Sequence, residues 1–483
     1  MPAGKAALVA AGGCSLLAFI LLAVQVAADP APDVTFSHSP FTDEGWLSLG
    51  ARNLVLLGRW ATDEWQLYLV QLPFSVVQAA AFEAFGVGII QARAVSVAAS
   101  PLAVALLTLV IGRRIGVLPA VVAGVGLASS ALVLYYGRLA LLEPMVMLCL
   151  IAGLAGFLWR SEAWLIPGVV TGICLSLALA TKPSSAAAAA GIVLGGALAA
   201  SRTPGWAVPV RRGVVAAGVI AIAAAAWWAL VQSIPGAWDA ILRIWPNQLP
   251  ASSLAEVVDR VVSYPVESDG AVRLAAPLLI GGAIGLAMVA ARWRSLAIPH
   301  RVLVGACLGW IVVGFAVLMV VPYRPNRYVV PLLPPLAVLA AFGMWAVLAA
   351  LGPRLSRPRA LALAGLLVLA LAAQGSWHLL RWTGRATYAL PRIQAELLAT
   401  MTDGHAVQGA GPTMAMRVPV PAIVTRTNLN TGDLYATHGV RWLLTNREGV
   451  PAWADRHPDA WARRELIRCY PWPSGEACLV HVP

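Results

Sequence analysis

Residues 66–86 read QLYLVQLPFSVVQAAAFEAFG, and the placement of this segment decides how the rest of the chain crosses a membrane. The segment is apolar enough to suggest a spanning helix. It also contains a proline and four polar residues, namely Gln66, Gln71, Pro73, Gln78 and Glu83. Polar residues are costly in a helix that is exposed to lipid. We therefore expect an amphipathic helix that lies in the membrane interface.

The remaining composition is that of a polytopic α-helical membrane protein. The 483 residues are 59% hydrophobic and 12% charged, whereas a soluble domain has about 25% charged residues. Repeated runs of about 20 apolar residues predict spanning helices rather than the alternating strands of a barrel. We expect eleven spans, at residues 6–28, 91–111, 117–136, 144–159, 163–181, 184–200, 213–233, 273–291, 302–321, 328–350 and 360–378.

The distribution of charge supports this placement of residues 66–86. The net charge of +12 comes mostly from arginines in short loops, which is typical of cytoplasmic loops and does not indicate nucleic-acid binding. With residues 66–86 in the interface, only Glu162 of the 22 acidic residues falls on the cytoplasmic side. The same reading places twelve arginines there: Arg113, Arg114, Arg160, Arg202, Arg211, Arg212, Arg292, Arg294, Arg301, Arg354, Arg357 and Arg359.

This topology predicts a cytoplasmic N-terminus and three external regions. They are residues 29–90, which contain amphipathic helices near 43–58 and 66–86, residues 234–272, and the tail 379–483. A cleaved signal peptide over residues 1–29 is the alternative for the first span. The chain therefore divides into a transmembrane domain, 1–378, and an extracytoplasmic domain, 379–483.

The tail has the composition and pattern of a small α/β domain. Short strands are predicted at 406–409, 422–425, 440–444 and 478–481, with helices near 387–402, 431–438 and 452–466. Cys469 and Cys478 flank a turn-like segment, and an external location would permit a disulfide between them.

Two neighbouring acids, Asp43 and Glu44, follow the first span and precede an amphipathic helix. Acids at a helix start can simply cap it, because the backbone N–H groups there lack partners. A cap needs only one acid, so the other is available for chemistry. We expect this pair to be catalytic.

Three further motifs fall on the same predicted face. Arg138 and Glu143 lie between two spans, where an acid that caps a helix and pairs with an arginine is the alternative interpretation. Lys182 lies in an external turn, and only Lys5 is a second lysine, so a phosphate-binding P-loop is excluded. Arg324, Arg327 and Tyr328 precede a span, where anchoring in the membrane interface is the alternative.

These motifs resemble those of the GT-C superfamily of membrane glycosyltransferases, and especially the protein O-mannosyltransferases and the lipid A aminoarabinose transferases. The resemblance covers about residues 1–380 and rests on the order and shared face of four motifs. They are Asp43-Glu44, Arg138…Glu143-Pro144, Thr181-Lys182 and Tyr323-Arg324-Pro325-Asn326-Arg327-Tyr328. The tail resembles the small external domain of many bacterial members.

The resemblance implies transfer of a sugar from a polyprenyl-phosphate donor to a lipid, glycan or protein acceptor on the outer face of the cell membrane, with inversion. Asp43 would be the general base, and Glu44 would assist it or bind the acceptor. The substrate-binding residues would be Arg138, Glu143, Lys182, Arg324, Arg327 and Tyr328. A divalent metal ion is possible, because its use varies within the superfamily.

Two departures separate this chain from the aminoarabinose transferases. Glu143 stands where they have Asp, and Asp63-Glu64-Trp65 stands where their first loop has Glu-Lys-Pro. The second departure argues against modification of lipid A.

A transporter or flippase of lipid-linked glycans is the alternative from another functional class. Transporters usually place charges at the midplane of broken helices in paired repeats. Here the charges crowd one face, and the two halves of the chain do not mirror each other. The sugar and the acceptor remain open at the level of sequence.

Overall fold

The structure is a computed structural model. It describes residues 3–31, 43–64, 66–201, 205–244, 253–267, 269–321, 325–351, 357–409, 411–423, 434–445, 454–455, 457–472 and 475–483. Ten α-helices form within the described residues of its first half. They are α1 (Ala3–Ala23), α2 (Asp43–Leu57), α3 (Leu72–Phe85), α4 (Ile89–Arg114), α5 (Val117–Ala128), α6 (Ala131–Tyr136), α7 (Glu143–Phe157), α8 (Leu165–Thr181), α9 (Ala186–Ala200) and α10 (Ala207–Ser233).

Six further helices complete the bundle within the part of the chain that is described. They are α11 (Ala237–Ile244), α12 (Leu254–Glu267), α13 (Asp269–Arg292), α14 (Ile298–Val320), α15 (Leu333–Leu351) and α16 (Arg357–Thr383). Short 3-10 turns at Leu67–Gln71, Pro183–Ser185, Trp293–Ser295 and Asn326–Leu332 join or extend these helices.

The predicted polytopic helical fold is confirmed. Among the described residues, eight helical segments of 18 or more residues are apolar enough to cross a membrane, and three shorter apolar helices, α5, α7 and α8, accompany them. Each of the eleven predicted spans has a corresponding helix. The predicted span 117–136 differs in one respect, because it breaks into α5 and α6 at Ser129-Ser130. The backbone of α16 packs directly against this break. A Cβ at Gly375 of α16 would lie 1.5 Å from the carbonyl oxygen of Ser129.

Close helix packing explains part of the glycine content of this bundle. Gly191 and Gly195 of α9 face Gly305 and Gly309 of α14, with a four-residue spacing on both helices. A Cβ at Gly191 would lie 2.2 Å from the carbonyl oxygen of Gly309, so only glycine permits this approach. Small residues at such spacing let helices gain van der Waals contact in lipid, where no hydrophobic driving force brings them together.

The segment 66–86 forms a 3-10 turn and the helix α3, and its placement in the membrane interface stays a prediction. Length and composition alone would allow Leu67–Phe85 to cross a membrane. However, Ala79 and Phe82 of α3 pack into one core with Leu397 and Val407 of the C-terminal region. The buried Gln78 donates a hydrogen bond to the Ser48 hydroxyl of α2, 2.8 Å away. Helix α3 therefore packs against both α2 and the C-terminal domain.

The loop arginines gather at the opposite end of the bundle. Arg212 donates to the carbonyl oxygens of Phe157 and Trp159, each 2.9 Å away, at the end of α7. Arg160 donates to the carbonyl of Arg113, and the imidazole of His300 lies 2.9 Å from the carbonyl of Arg114. We call this the arginine end, and we call the end that carries α2, α3 and the C-terminal domain the outer end.

The C-terminal domain follows α16. Within the described residues it contains helices α17 (Ala389–Thr400), α18 (Gly411–Met414), α19 (Leu434–His438) and α20 (Pro458–Ala462), and strands β1 (Ala406–Gly409), β2 (Ala422–Ile423), β3 (Val440–Thr445), β4 (Glu465–Trp472) and β5 (Gly475–His481). The strand order is β2-β1-β3-β5-β4. The first three strands are parallel, and β5 pairs antiparallel with both β3 and β4.

The predicted helix at 452–466 is too long. The described part of this segment is helical only at Pro458–Ala462, and a strand begins at Glu465. The strand forms because residues 465–472 pair with β5 across a hairpin, which local sequence did not reveal. Cys469 and Cys478 are directly opposite in this pair and are joined by a disulfide.

Candidate active site

Four helix or turn ends meet at the outer end and bring charged side chains together. Asp43 is the first residue of α2, and Glu143 is the first residue of α7. Lys182 lies in the turn between α8 and α9, and Arg327 lies in the 3-10 turn Asn326–Leu332. Because these residues are separated by up to 284 positions in sequence (327 − 43), only the packing of the bundle brings them together.

The four charges form a continuous chain of ion pairs. An Arg327 Nη1 lies 2.6 Å from Asp43 Oδ2, and Arg327 Nε lies 3.4 Å from Glu143 Oε1. The same Glu143 oxygen lies 2.5 Å from Lys182 Nζ. Glu143 is almost wholly buried, whereas the Asp43 side chain is 26% exposed. The carboxylate of Asp43 is therefore the more accessible end of the cluster.

Tyr328 completes the cluster. The Lys182 ammonium lies 3.5 Å from the centre of the Tyr328 ring, a cation–π geometry. Burial lowers the pKa of Lys182 to about 8; Glu143 opposes this decrease and Arg327 adds to it. Lys182 is consequently charged at neutral pH but titrates within reach of physiological conditions.

A cleft opens beside Lys182 between α9 and α14. Lys182, Ser185 and Tyr328 line its polar part, and Val146, Leu318 and Leu332 are among its apolar walls. The hydroxyl of Ser185 is buried and has no hydrogen-bond partner among the described residues. A second cavity of about 290 Å³, with mainly apolar walls, lies between α8, α9 and α10 on the other side of the same turn. The Lys182 turn thus borders apolar space on two sides.

Glu44 does not join this cluster, although it follows Asp43 directly. Its two carboxylate oxygens each accept a hydrogen bond from Arg93, at 2.7 Å, and Oε1 also accepts one from the Ala140 amide at 2.8 Å. Arg93 in turn donates to the carbonyls of Val26 and Ala28. Glu44 and Arg93 are both fully buried. This geometry makes Glu44 a structural link between α2, α4 and the end of α1.

Arg138 also lies away from the cluster. Its guanidinium donates to the carbonyls of Leu134, Val24 and Leu21, at 2.7, 3.0 and 3.2 Å, and stacks 4.0 Å from the Trp382 ring. It therefore ties the end of α1 to α6 and does not pair with Glu143. Arg324 lies outside the described residues.

Sequence reasoning missed Arg93 and Ser185. Arg93 lies in the first turn of a predicted span on the external side, where an ionisable residue needs a partner. That position was the available signal for a buried acidic partner. Ser185 carried no signal, since serines that closely follow a proline such as Pro183 are usual in a turn.

The donor set does not suit a divalent metal ion. Both carboxylates of the cluster already face cations, and a metal ion would have to displace Lys182 or Arg327. Among the described residues, one group of three side chains has metal-ligand spacing, namely Cys469, Glu476 and Cys478. The two sulfurs of that group form the disulfide, which leaves one carboxylate.

Comparison with known proteins relates this fold to known membrane proteins. The sequence model of the dolichyl-phosphate-mannose-protein mannosyltransferase family matches residues 62–239. The structure is similar to ArnT from Cupriavidus metallidurans bound to undecaprenyl phosphate, with a TM-score of 0.63 over 98% of this chain and 97% of that chain, at 15% identity. The fold is that of the GT-C superfamily.

A second solved structure has a less similar fold. The oligosaccharyltransferase AglB from Archaeoglobus fulgidus, in complex with an inhibitory peptide and a dolichol-phosphate, has a TM-score of 0.53 and 12% identity. That match covers 91% of this chain and 69% of AglB. None of the curated proteins matches this sequence significantly. Together, the family match and the similar folds support a membrane glycosyltransferase.

Proposed function

We propose that this protein transfers a sugar from a polyprenyl-phosphate donor to an acceptor hydroxyl on the outer face of the cell membrane, with inversion at the anomeric carbon. The observation that carries the proposal is the convergence of Asp43, Glu143, Lys182 and Arg327 beside an apolar cleft at the outer end. A hydroxyl nucleophile needs a base, and a phosphate leaving group needs fixed cations. The cluster supplies both.

Lys182 and Arg327 would bind the donor phosphate. An ammonium group has three N–H donors and a guanidinium has five, so both retain donors beyond their bonds to the carboxylates. Two cations and two carboxylates leave the cluster near neutrality, and a phosphodiester adds one negative charge. The prenyl chain would follow the apolar walls of the cleft beside Lys182, with the hydroxyl of Ser185 available to the phosphate. The solved structures of ArnT and AglB contain undecaprenyl phosphate and dolichol-phosphate, which supports this class of donor.

Asp43 would act as the general base. Its carboxylate would take the proton of the acceptor hydroxyl while the hydroxyl oxygen forms a bond to the anomeric carbon. The bond between that carbon and the phosphate oxygen breaks, and its electron pair leaves with the polyprenyl phosphate. Attack from the face opposite the leaving group inverts the anomeric centre. Asp43 is the more exposed carboxylate of the cluster, so an acceptor can reach it.

Glu143 would orient the two cations rather than react. It is buried and bridges Lys182 and Arg327, so it holds two groups of like charge close together without donor present. The ring of Tyr328 would limit the movement of the Lys182 ammonium on its other side. Because both carboxylates of the cluster already pair with Lys182 or Arg327, we propose that the reaction is independent of divalent metals.

The position of the arginine end supports one orientation of the protein in the membrane. Loop arginines favour the cytoplasm, so the arginine end would face the cytoplasm and the cluster would face outward. The N-terminus would then be cytoplasmic and the C-terminal domain extracytoplasmic. A cysteine placed within 113–116 should be protected from an impermeant thiol reagent in intact cells, and labelling at that position would contradict the orientation.

A transfer assay tests the proposal directly. Purified full-length protein in lipid nanodiscs would be incubated with a panel of radiolabelled polyprenyl-phosphate sugars and cell-envelope extract. We expect release of polyprenyl phosphate together with labelled acceptor for at least one donor. The Glu83→Gln variant is the matched control, since Glu83 is an exposed acid on α3 in the same outer layer. Transbilayer movement of the intact donor without cleavage would instead support the flippase alternative.

A further inference from the structure

The helix that begins at Asp43 is held by the C-terminal domain close to its first turn. The amide of Gly45 donates to the hydroxyl of Thr413, 3.2 Å away. The two backbones are in such close contact that a Cβ at Gly45 would lie 2.2 Å from the Thr413 amide nitrogen. Thr413 is itself fully buried, and its carbonyl accepts a hydrogen bond from Gln394 of α17 at 2.8 Å. The start of α2 therefore rests on a fixed part of another domain.

A second contact holds the middle of the same helix. Arg52 is fully buried, yet the hydrogen-bond partners of its guanidinium among the described residues are all neutral oxygens. It donates to the side chain of Asn53 and to four carbonyls of one segment of the C-terminal domain: Ala415, Met416, Val418 and Val420. Burial lowers the pKa of Arg52 to about 10, so the group stays charged at neutral pH. A buried charge is costly unless hydrogen bonds satisfy it, which makes this segment and α2 dependent on each other.

From these two contacts we infer that Thr413 and Arg52 are positioning residues, through which residues 411–420 of the C-terminal domain set the place of the Asp43 carboxylate relative to Lys182 and Arg327. The inference rests on the proposed function of Asp43. It assigns the C-terminal domain a part in catalysis in addition to any contact with the acceptor.

The geometry explains why such support is needed. Asp43 lies two residues before Gly45, and residues 32–42 precede it on the chain, so the base is at the end of its helix. The Arg327 pair holds the carboxylate from the donor side, and the Thr413 contact holds the backbone from the other side. A displacement of about 1 Å in a reacting group can cost about 10²-fold in rate. Loss of the Thr413 contact should therefore reduce turnover without changing the donor site.

Substitutions at Thr413 test the inference in the full-length enzyme. Thr413→Val removes the hydroxyl and keeps the shape, and Thr413→Ser keeps the hydroxyl. Thr400→Val is the matched control, because Thr400 also belongs to the C-terminal domain and its hydroxyl bonds the Glu396 carbonyl at 2.9 Å, away from α2. The readouts are kcat, the KM for the donor and the midpoint of thermal unfolding in nanodiscs.

We expect Thr413→Val to lower kcat by about tenfold or more, with the donor KM within about twofold of the wild type. Thr413→Ser should restore most of the turnover, and Thr400→Val should leave it unchanged. Gly45→Ala provides a second measurement, since it keeps the hydrogen-bonding groups and moves α2 by steric contact; it should also lower kcat more than it changes KM. If Thr413→Val unfolds at a lower temperature than Thr400→Val, the kcat and KM of Gly45→Ala test the inference instead.

Equal kcat values for Thr413→Val and Thr400→Val would overturn the inference, as would parallel changes of kcat and KM in both Thr413→Val and Gly45→Ala. Failure of the proposed function has a different signature. In that case the wild type would release no polyprenyl phosphate from any donor, or Asp43→Asn would retain wild-type activity.

Discussion

Asp43 and Glu44 are consecutive acids in the same helix turn, yet the structure gives them opposite environments. Both oxygens of Glu44 are bound by the fully buried Arg93, and a backbone amide adds a third bond. The Asp43 side chain is 26% exposed and pairs with Arg327, which also faces Glu143 and, through it, Lys182. Glu44 thus stabilises the packing of the helices, whereas Asp43 belongs to the more exposed cluster of charges.

The difference arises from helix geometry and from the partners that surround each face. Successive residues of a helix point about 100° apart, so adjacent acids cannot share one site. Glu44 points to α4 and the end of α1, where backbone carbonyls satisfy its arginine. Saturated hydrogen bonding of this kind is typical of structural ion pairs, whereas reactive groups keep access to a substrate.

The largest effect should follow removal of the accessible acid. Asp43→Asn keeps the size of the side chain and removes its basicity, so we expect sugar transfer to fall by about 10²- to 10⁴-fold. Helical content and the unfolding midpoint should stay close to those of the wild type, because Asp43 is partly exposed. The measurement is the initial rate of polyprenyl phosphate release, with Glu83→Gln as control. Wild-type rates in Asp43→Asn would reject the base assignment.

The pH dependence of the cluster should give the second largest effect. Lys182 has a pKa lowered to about 8, so the cation is present below pH 8 and is lost as the pH rises. If it binds the donor phosphate, kcat/KM should fall by about tenfold for each pH unit above that value. Lys182→Arg should move this alkaline limb upward, because arginine stays protonated up to about pH 12. An unchanged limb in Lys182→Arg would assign the titration to another group.

Substitution of the buried acid, Glu44, should lower stability more than it lowers catalysis. Glu44→Gln leaves the buried Arg93 without its charged partner, and we expect a loss of about 3–5 kcal/mol in the free energy of unfolding. Catalysis per folded molecule should change little, since Glu44 does not face the cluster. Denaturant or thermal unfolding in nanodiscs measures the loss of stability. Active-site titration gives the concentration of folded enzyme, from which the turnover per folded molecule is calculated. A stable Glu44→Gln protein with abolished turnover would place both acids in the chemistry.

The smallest effect should come from metal removal. Cations already neutralise Asp43 and Glu143, so we expect treatment with EDTA to change the rate by less than about twofold, since positioned donors and cations supply the electrostatic stabilisation. The assay compares chelated enzyme with enzyme supplied with Mg²⁺, Mn²⁺ or Ca²⁺. Loss of activity on chelation, with recovery on addition of one of these ions, would contradict this expectation.

Particular residues show how far sequence reasoning reached. Lys182 and Glu143 were predicted to share a face, and they lie 2.5 Å apart. Glu44 and Arg138 were predicted from the same kind of evidence, yet both bind elsewhere. A motif indicates which face of the membrane a residue occupies, but it does not indicate the direction in which a side chain points on that face. The strand β4 was missed for a related reason, because its partner β5 stabilises it more than its local preference does.

Composition and the periodicity of apolar residues determined the number and order of the spans, since each span must satisfy its own backbone hydrogen bonds in lipid. The arginine distribution likewise predicted that residues 66–86 stay in the interface. Tertiary packing alone decided which charges meet. The ends of α2, α7 and α8 and the turn before α15 come from distant parts of the chain, and their mutual distances depend on helix contacts that no local pattern records. For the same reason, only the structure reveals that the helix of Asp43 is connected to the C-terminal domain through Thr413 and through the carbonyls that Arg52 binds.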